Sequence, residues 1–340
     1  MRATAFSPAN IAFIKYWGRL NHKLFLPVST SSSMNLSGCN ATTTVDFDPK
    51  YHKDEISIIG ADGKEMQVTT EGGEKNVLLF KTLDRIRHLA GINTKALVKS
   101  KLNFPLGAGI ASSAAGFSAF VAAACVASGR SDIFEDKVEL SREIRLAGSP
   151  SAARSVLDGF VELLTGRKHS NGYARQIAGE KHWDLVDTVA VLTPEQKKVS
   201  SSEGHILAAS SPFFIARKKY LKGKDGLVRK AILGKDFKAL AELSEADSIN
   251  MHAIMMTSKP AIYYLSSGSM DIINEVISWR NNEKMDVFFT FDAGPNAHVV
   301  STSKYAPEIK KRLDGNKYVD FTIANKPAKG TSIISGHLFT

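Results

Sequence analysis

The sequence predicts a protein of the α+β or mixed α/β class, folded in two parts. Three observations predict it: β-branched runs separated by turn residues, stretches of helical period between them, and a fresh start on a strand pattern near residue 185. At 340 residues the chain is long enough for about two domains of roughly 100 to 200 residues, each able to bury a core.

Thr42 to Phe47 and Glu55 to Ile59 are rich in β-branched residues and flank Pro49 and Asp54, so two strands of a meander are expected there. From Lys75 the apolar residues recur at Leu79, Leu83, Ile86 and Ala90, one helical stripe that stops at Gly91. Ala114 to Ala127 is Ala-rich and interrupted by Gly116 and Ser118. It falls short of the ~20 residues of a bilayer span and predicts a core helix. Asp132, with Glu135 three residues on, predicts a capped helix running to about Gly148, and a further helix opens at Ser149-Pro150-Ser151. Val186 to Leu192 then reads as a strand, Asp236 to Met256 as a long Ala/Met/Leu-rich stretch, Ser269 to Arg280 as an amphipathic helix and Val287 to Phe291 as a buried strand. No repeat or low-complexity linker marks the boundary, which is expected near Trp183-Asp184 and divides the chain into 1–185 and 186–340.

The proportions, 43% hydrophobic and 23% charged residues, are ordinary for a globular protein and exclude disorder, collagen and disulfide scaffolds. Cys39 and Cys125 suit neither a disulfide framework nor a zinc site, which predicts a reducing, cytoplasmic location. Met1 to Asn10 lacks the pattern of a secretory signal. The 44 basic against 34 acidic residues give +10, a field that draws polyanions, whether nucleic acid, anionic membrane or phosphorylated small molecules. The densest basic segment, Arg217 to Lys224, is short with one aromatic residue, Tyr220, and is read as a solvated helix face rather than a nucleic-acid groove.

Four segments carry chemistry. Pro105 to Gly116 is a small-residue loop feeding a helix, where Gly107 and Gly109 let backbone amides approach an anion and Ser112 and Ser113 offer hydroxyls. It predicts a phosphate cradle of neither the Walker nor the dinucleotide pattern; the bland alternative is a tight packed loop. Ala9 to Arg19 carries Asn10, Lys15, Tyr16 and Arg19, and in an extended segment Lys15 and Arg19 would share one face. Gly148 to Ser155 sets Ser149, Ser151 and Arg154 at a helix start suited to anions, with an interdomain salt bridge as Arg154's other reading. Phe289 to Ala297 places Asp292 at the end of a buried strand, where a nearby Lys15 would keep it ionised and aimed at a hydroxyl. Alone, an Asp in a Gly-Pro turn is a structural cap.

Together these segments, with Lys197-Lys198-Val199-Ser200-Ser201, resemble the ATP-dependent mevalonate diphosphate decarboxylases of the GHMP kinase superfamily. The resemblance spans most of the chain. It implies a two-domain GHMP kinase fold, with a ribosomal-protein-S5-like domain over 1–185, a ferredoxin-like domain over 186–340, a cleft between them and a homodimer. It implies that ATP phosphorylates the C3 hydroxyl of mevalonate 5-diphosphate, after which phosphate and carbon dioxide leave to give isopentenyl diphosphate. Asp292 would orient that hydroxyl, Lys15 would lie beside it and the moving phosphoryl, and Arg154 and Asn10 would hold the substrate carboxylate. Tyr16, Arg19, Ser149, Ser151 and Ser201 would hold the 5-diphosphate, while Gly107, Gly109, Ser112 and Ser113 would cradle ATP with Mg²⁺, Ser113 as metal ligand. Three departures fall at the expected diphosphate end: Pro150 where relatives often carry glycine, Arg19 in place of a common lysine, and Ser202 where some bacterial relatives carry arginine. They leave a phosphomevalonate decarboxylase as one alternative. A basic, S5-like nucleic-acid-binding protein is another; the principal reading expects neither nucleic acid nor membrane as a partner.

Overall fold

The computed structural model describes residues 1–105, 112–192 and 199–340, with Ser112 described in its backbone alone. The first sheet is built on two long antiparallel strands, β1 (Arg2–Ile14) and, after a small hairpin of β2 (Arg19–Asn21) and β3 (Leu26–Pro27), β4 (Ser31–Phe47). β5 (Glu55–Ile59) and β6 (Glu65–Gln67) pair at one edge. The chain then runs through α1 (Glu74–Ala90), which ends on left-handed Gly91, into β7 (Ala96–Leu102).

The expected meander does not form. β7 inserts between β4 and β5, antiparallel to the first and parallel to the second, because α1 supplies the crossover that a parallel pair requires. The Ala-rich α2 (Ser112–Ala127) lies on this sheet with Ala115, Ala119, Ala122 and Ala123 fully buried, small side chains that let the helix approach the strands closely.

The single helix expected from Asp132 is two, α3 (Ser131–Glu135) and α4 (Lys137–Leu146). Asp136 breaks the run with extended backbone, and its carboxylate caps α4 by accepting from the N–H groups of Val138 and Glu139. The helix expected to open at Ser149-Pro150-Ser151 is present as a 3-10 helix, Pro150–Val156, with Ser149 at its N-cap. β8 (Phe160–Leu163) then pairs with the first part of β4, and β9 (Ala174–Ala178) with β8.

The second sheet contains β10 (Leu185–Val191), β11 (Val287–Phe291), β12 (Ala297–Thr302) and β13 (Phe321–Asn325) in the order β11-β12-β10-β13, all antiparallel. Its helices are α5 (Ser201–Leu207), α6 (Phe214–Tyr220), α7 (Lys224–Gly234), α8 (Phe237–Met256), α9 (Ser267–Glu283) and α10 (Ala306–Asp314). The two sheets share a core: Phe13 meets Phe288 edge to face at 6.2 Å, and Val228, Ile232 and Leu240 pack in the same buried cluster as Ile11 and Phe160.

The last strand, β14 (Ser332–Ile334), crosses back and pairs with β1. Among the described residues, these late ones cover the edge of β1 at Thr4 to Phe6. Thr331 secures the crossing. Its hydroxyl lies 2.9 Å from Ser7 Oγ and 2.7 Å from Ser118 Oγ, and donates to Ser155 O at 2.9 Å. Replacing that hydroxyl with a methyl leaves buried serines short of a partner, so Thr331→Val is expected to lower stability by about 1 to 3 kcal/mol, read as a lower urea midpoint at unchanged m-value.

Candidate active site

β1 makes its last pairing at Ile14, so Lys15 leaves the sheet with its peptide groups unclaimed by any strand. Residues from the other half of the chain claim them. Asp247 Oδ2 on α8 accepts from the Lys15 N–H at 2.8 Å, and Arg217 Nη2 on α6 donates to the Lys15 carbonyl at 2.9 Å. The Lys15 ammonium is buried and donates to Asp292 Oδ1 at 2.8 Å and to the Ala12 carbonyl.

Asp292 directly follows β11 and keeps 23% of its side chain accessible. Burial works against its ionisation, but the Lys15 ammonium, with His298 and the Arg154 guanidinium adding to it, overrides burial and holds the carboxyl below its ordinary range. Its carbonyl accepts from His252 Nε2 at 3.1 Å, which fixes that tautomer because a carbonyl can only accept. Burial, reinforced by Lys15, pushes His252 down to about 4, so it is neutral near pH 7.

Arg154 sits in the 3-10 turn and is buried. Its Nε and Nη2 donate to Asn10 Oδ1 at 3.1 and 2.8 Å, and Nη1 donates to Ser31 Oγ at 2.7 Å. Those bonds use three of the five guanidinium N–H groups, leaving one on each terminal nitrogen. Asn10 also donates to Ser151 O at 3.0 Å and Ser155 Oγ at 2.9 Å. With both amide hydrogens and its oxygen engaged, Asn10 aims the guanidinium.

Lys15 and Arg19 do not share a face as strand parity predicts. The strand has ended, and the chain turns at Gly18 with φ +107°, where a Cβ would stand 2.9 Å from the Phe214 ring. Arg19 instead lies over the Phe25 ring at 4.7 Å. Tyr16 stacks on His205 at 4.9 Å, and the same imidazole accepts from the Gly18 N–H at 3.0 Å. Burial raises the Tyr16 phenol, opposed by Arg154, Arg19 and Ser151, which gather around it. Ser149 and Ser151 hydroxyls stand 3.5 Å apart, and Ser201 occupies the first turn of α5 after the capping Ser200.

Beside this cluster a cleft of about 540 Å³ is lined by residues including Lys75, Asn76, Ser113, Phe117 and Ser202. Ser202 thus faces the cleft. Gly107, Gly109, Lys197 and Lys198, and the side chain of Ser112, lie outside the described residues. Among the described residues no three His, Cys, Asp or Glu side chains cluster as a metal cage, and no helix is long and apolar enough to cross a membrane.

Sequence reasoning missed Asp247, Arg217, His252 and His205. The basic run reads as a solvated face, which holds for Lys218 and Lys219, but Arg217 is only 1% exposed and pairs with Asp247 at 3.1 Å. One signal was present: Ser244, Asp247, Ser248 and His252 repeat at helical spacing, a polar stripe on an otherwise apolar helix, and all four are buried.

Two outcomes follow from the electrostatics. Lys15→Met removes the opposing charge, so the Asp292 carboxyl is expected to titrate at higher pH, followed by its ¹³C shift; an unmoved midpoint contradicts the pairing. For His252 the unfolded state takes up a proton near pH 6.5 and the folded state only near pH 4, so its share of stability is present above 6.5 and drains away as pH falls towards 4. His252→Gln should flatten the slope of unfolding free energy against pH across that window.

Comparison with known proteins gives a consistent result. Residues 7–174 match the family model of the diphosphomevalonate decarboxylase-like N-terminal domain, and residues 188–329 that of the mevalonate 5-diphosphate decarboxylase C-terminal domain. Diphosphomevalonate decarboxylase of Danio rerio is 35% identical over 319 residues, covering 90% of this chain and 77% of the relative. Phosphomevalonate decarboxylase of Haloferax volcanii is 29% identical over 313 residues, covering 92% of each. The solved complex of MDDEF with MVAPP, AMPPCP and magnesium superposes with a TM-score of 0.87 at 28% identity, covering 99% of both chains.

Proposed function

The chain belongs to the diphosphomevalonate decarboxylase family, with the two-domain GHMP-like architecture of its solved relatives, and on that premise we propose that it converts mevalonate 5-diphosphate and ATP into isopentenyl diphosphate, ADP, phosphate and carbon dioxide by way of a phosphorylated C3 hydroxyl. The observation that carries this reading is the Lys15–Asp292 pair, 2.8 Å apart, under the electrostatic reach of Arg154.

Asp292 is charged, partly accessible and held from behind by His252. It accepts a hydrogen bond from the C3 hydroxyl and turns the oxygen lone pair towards the incoming phosphoryl group. Lys15 has one ammonium proton beyond those given to Asp292 and Ala12, enough to reach a phosphoryl oxygen as charge is transferred. The two free N–H groups of Arg154 suit a carboxylate, fixing its plane so that the C–CO₂ bond lies along the path by which phosphate departs. Tyr16, Arg19, Ser149, Ser151 and Ser201 complete the pocket at the 5-diphosphate.

The cleft residues fit a nucleotide. Its wall of Ile56, Leu79, Val98, Phe117 and Phe120 suits a purine, while Lys75, Asn76 and Ser113 suit phosphates. Mg²⁺, when bound, neutralises the phosphate oxygens; with no carboxylate cage among the described residues, it would rest chiefly on the nucleotide, with Ser113 as the protein ligand proposed here. We also propose a cytoplasmic homodimer.

The 5-monophosphate reading is less favoured, because the relatives are chiefly diphosphomevalonate decarboxylases. The nucleic-acid reading loses part of its basic segment to the buried Arg217–Asp247 pair.

An ADP-release assay with mevalonate 5-diphosphate, then with the 5-phosphate, tests the assignment; turnover with the 5-phosphate alone, or with neither, defeats it. Asp292→Ala is expected to cut turnover by orders of magnitude with nucleotide affinity largely kept. Arg154→Lys keeps the charge but loses the fork, and at least about a tenfold loss of turnover, ~1.4 kcal/mol, is expected.

A further inference from the structure

Lys15 is the first residue beyond a strand, a place where backbone is ordinarily left to water or to a turn. Here both its peptide groups are bound by one buried ion pair. Asp247 Oδ2 takes the N–H at 2.8 Å, Arg217 Nη2 gives to the carbonyl at 2.9 Å, and that same Nη2 gives to Asp247 Oδ1 at 3.1 Å. The ring so formed admits one position for the Lys15 peptide relative to α6 and α8. Arg217 is fixed further by Asn250 Oδ1 at 2.6 Å and the Asp247 carbonyl at 3.3 Å. Both side chains of the pair are essentially without solvent contact, 1% and 0% exposed.

A buried ion pair is a weak source of stability, because desolvation offsets much of the attraction. Its value here is geometric. α8 also sets the other partner of the catalytic pair, since Ser248 accepts from the Phe291 N–H at 2.8 Å and His252 holds the Asp292 carbonyl. One helix therefore fixes Lys15 through Asp247 and Asp292 through Ser248 and His252.

We propose that Asp247 and Arg217 are positioning residues for phosphoryl transfer, acting through the Lys15 backbone to hold its ammonium against Asp292; this rests on the decarboxylase reading above. Neither side chain touches substrate in this account.

Asp247→Asn is the test. An amide offers one oxygen where the carboxylate offers two, so either the Lys15 N–H or the Arg217 contact is lost. With mevalonate 5-diphosphate and ATP, kcat is expected to fall about 10- to 100-fold, the scale of an ångström's misplacement, while both KM values stay within about threefold. In a Lys15→Met background the same change should cost almost nothing more, because the route through Lys15 is already cut. An unchanged kcat, or the same fold loss with and without Lys15, overturns the proposal; a merely structural role predicts the second of these.

Should Asp247→Asn not fold, Asn250→Ala removes one guanidinium contact and leaves the ion pair, and the same non-additivity is expected at smaller amplitude. A crystal structure of either variant gives a readout free of turnover. Lys15 Nζ still 2.8 Å from Asp292 Oδ1 would refute the positioning role even if the chain proved to act on another substrate, whereas a displaced ammonium would support it.

Discussion

A carboxylate at the end of a buried strand stays charged only if a cation is brought to it, and the cation that meets Asp292 comes from the far end of the chain's other sheet. Lys15 and Asp292 each stand one residue past a strand end, β1 for the first and β11 for the second. Their 2.8 Å contact therefore fixes how the two sheets are laid against each other. Beside it the apolar core runs from Phe13 on one sheet to Phe288 on the other.

Around that contact the polar groups are arranged by role. Two groups keep unused hydrogen-bonding capacity, the Arg154 fork and the Asp292 carboxylate, and these are the ones proposed to face the substrate. Asn10, whose amide is fully engaged, holds Arg154 from behind, His252 holds the Asp292 carbonyl, and the Asp247–Arg217 pair holds the Lys15 backbone. Packing alone would leave the Lys15, Arg154 and Asp292 side chains free to rotate; hydrogen bonds to their backbones and stems restrict them. α8 gathers much of this second set on one stripe, so a single rigid helix aligns parts contributed by distant segments.

Much of this was legible in the sequence, and the failures have physical causes. Helix α1, strand β5 and strand β11 follow from periodicity and β-branching because their buried positions recur at the spacing of the element itself. The meander expected of the first sheet does not form because strand order depends on the crossover through α1, and nothing local in Glu55 to Ile59 records which strand will lie beside it. Asp132 was read as the cap because it begins a helical pattern, yet Asp136 fills that place by breaking the run. The groups proposed to react stand out in the sequence by residue type and motif. Their supports do not: Arg217 looks like any arginine in a basic run until Asp247, thirty positions on, removes it from water.

The return of β14 to β1 bears on how the protein is made. During synthesis the long first strand emerges early, and one of its edges stays bare until the second sheet has been translated and residues 332–334 arrive. An uncovered edge is a template for pairing between nascent copies. A ribosome stalled before Ser332 would leave that edge open, and such arrested products should be the ones that chaperones must shield.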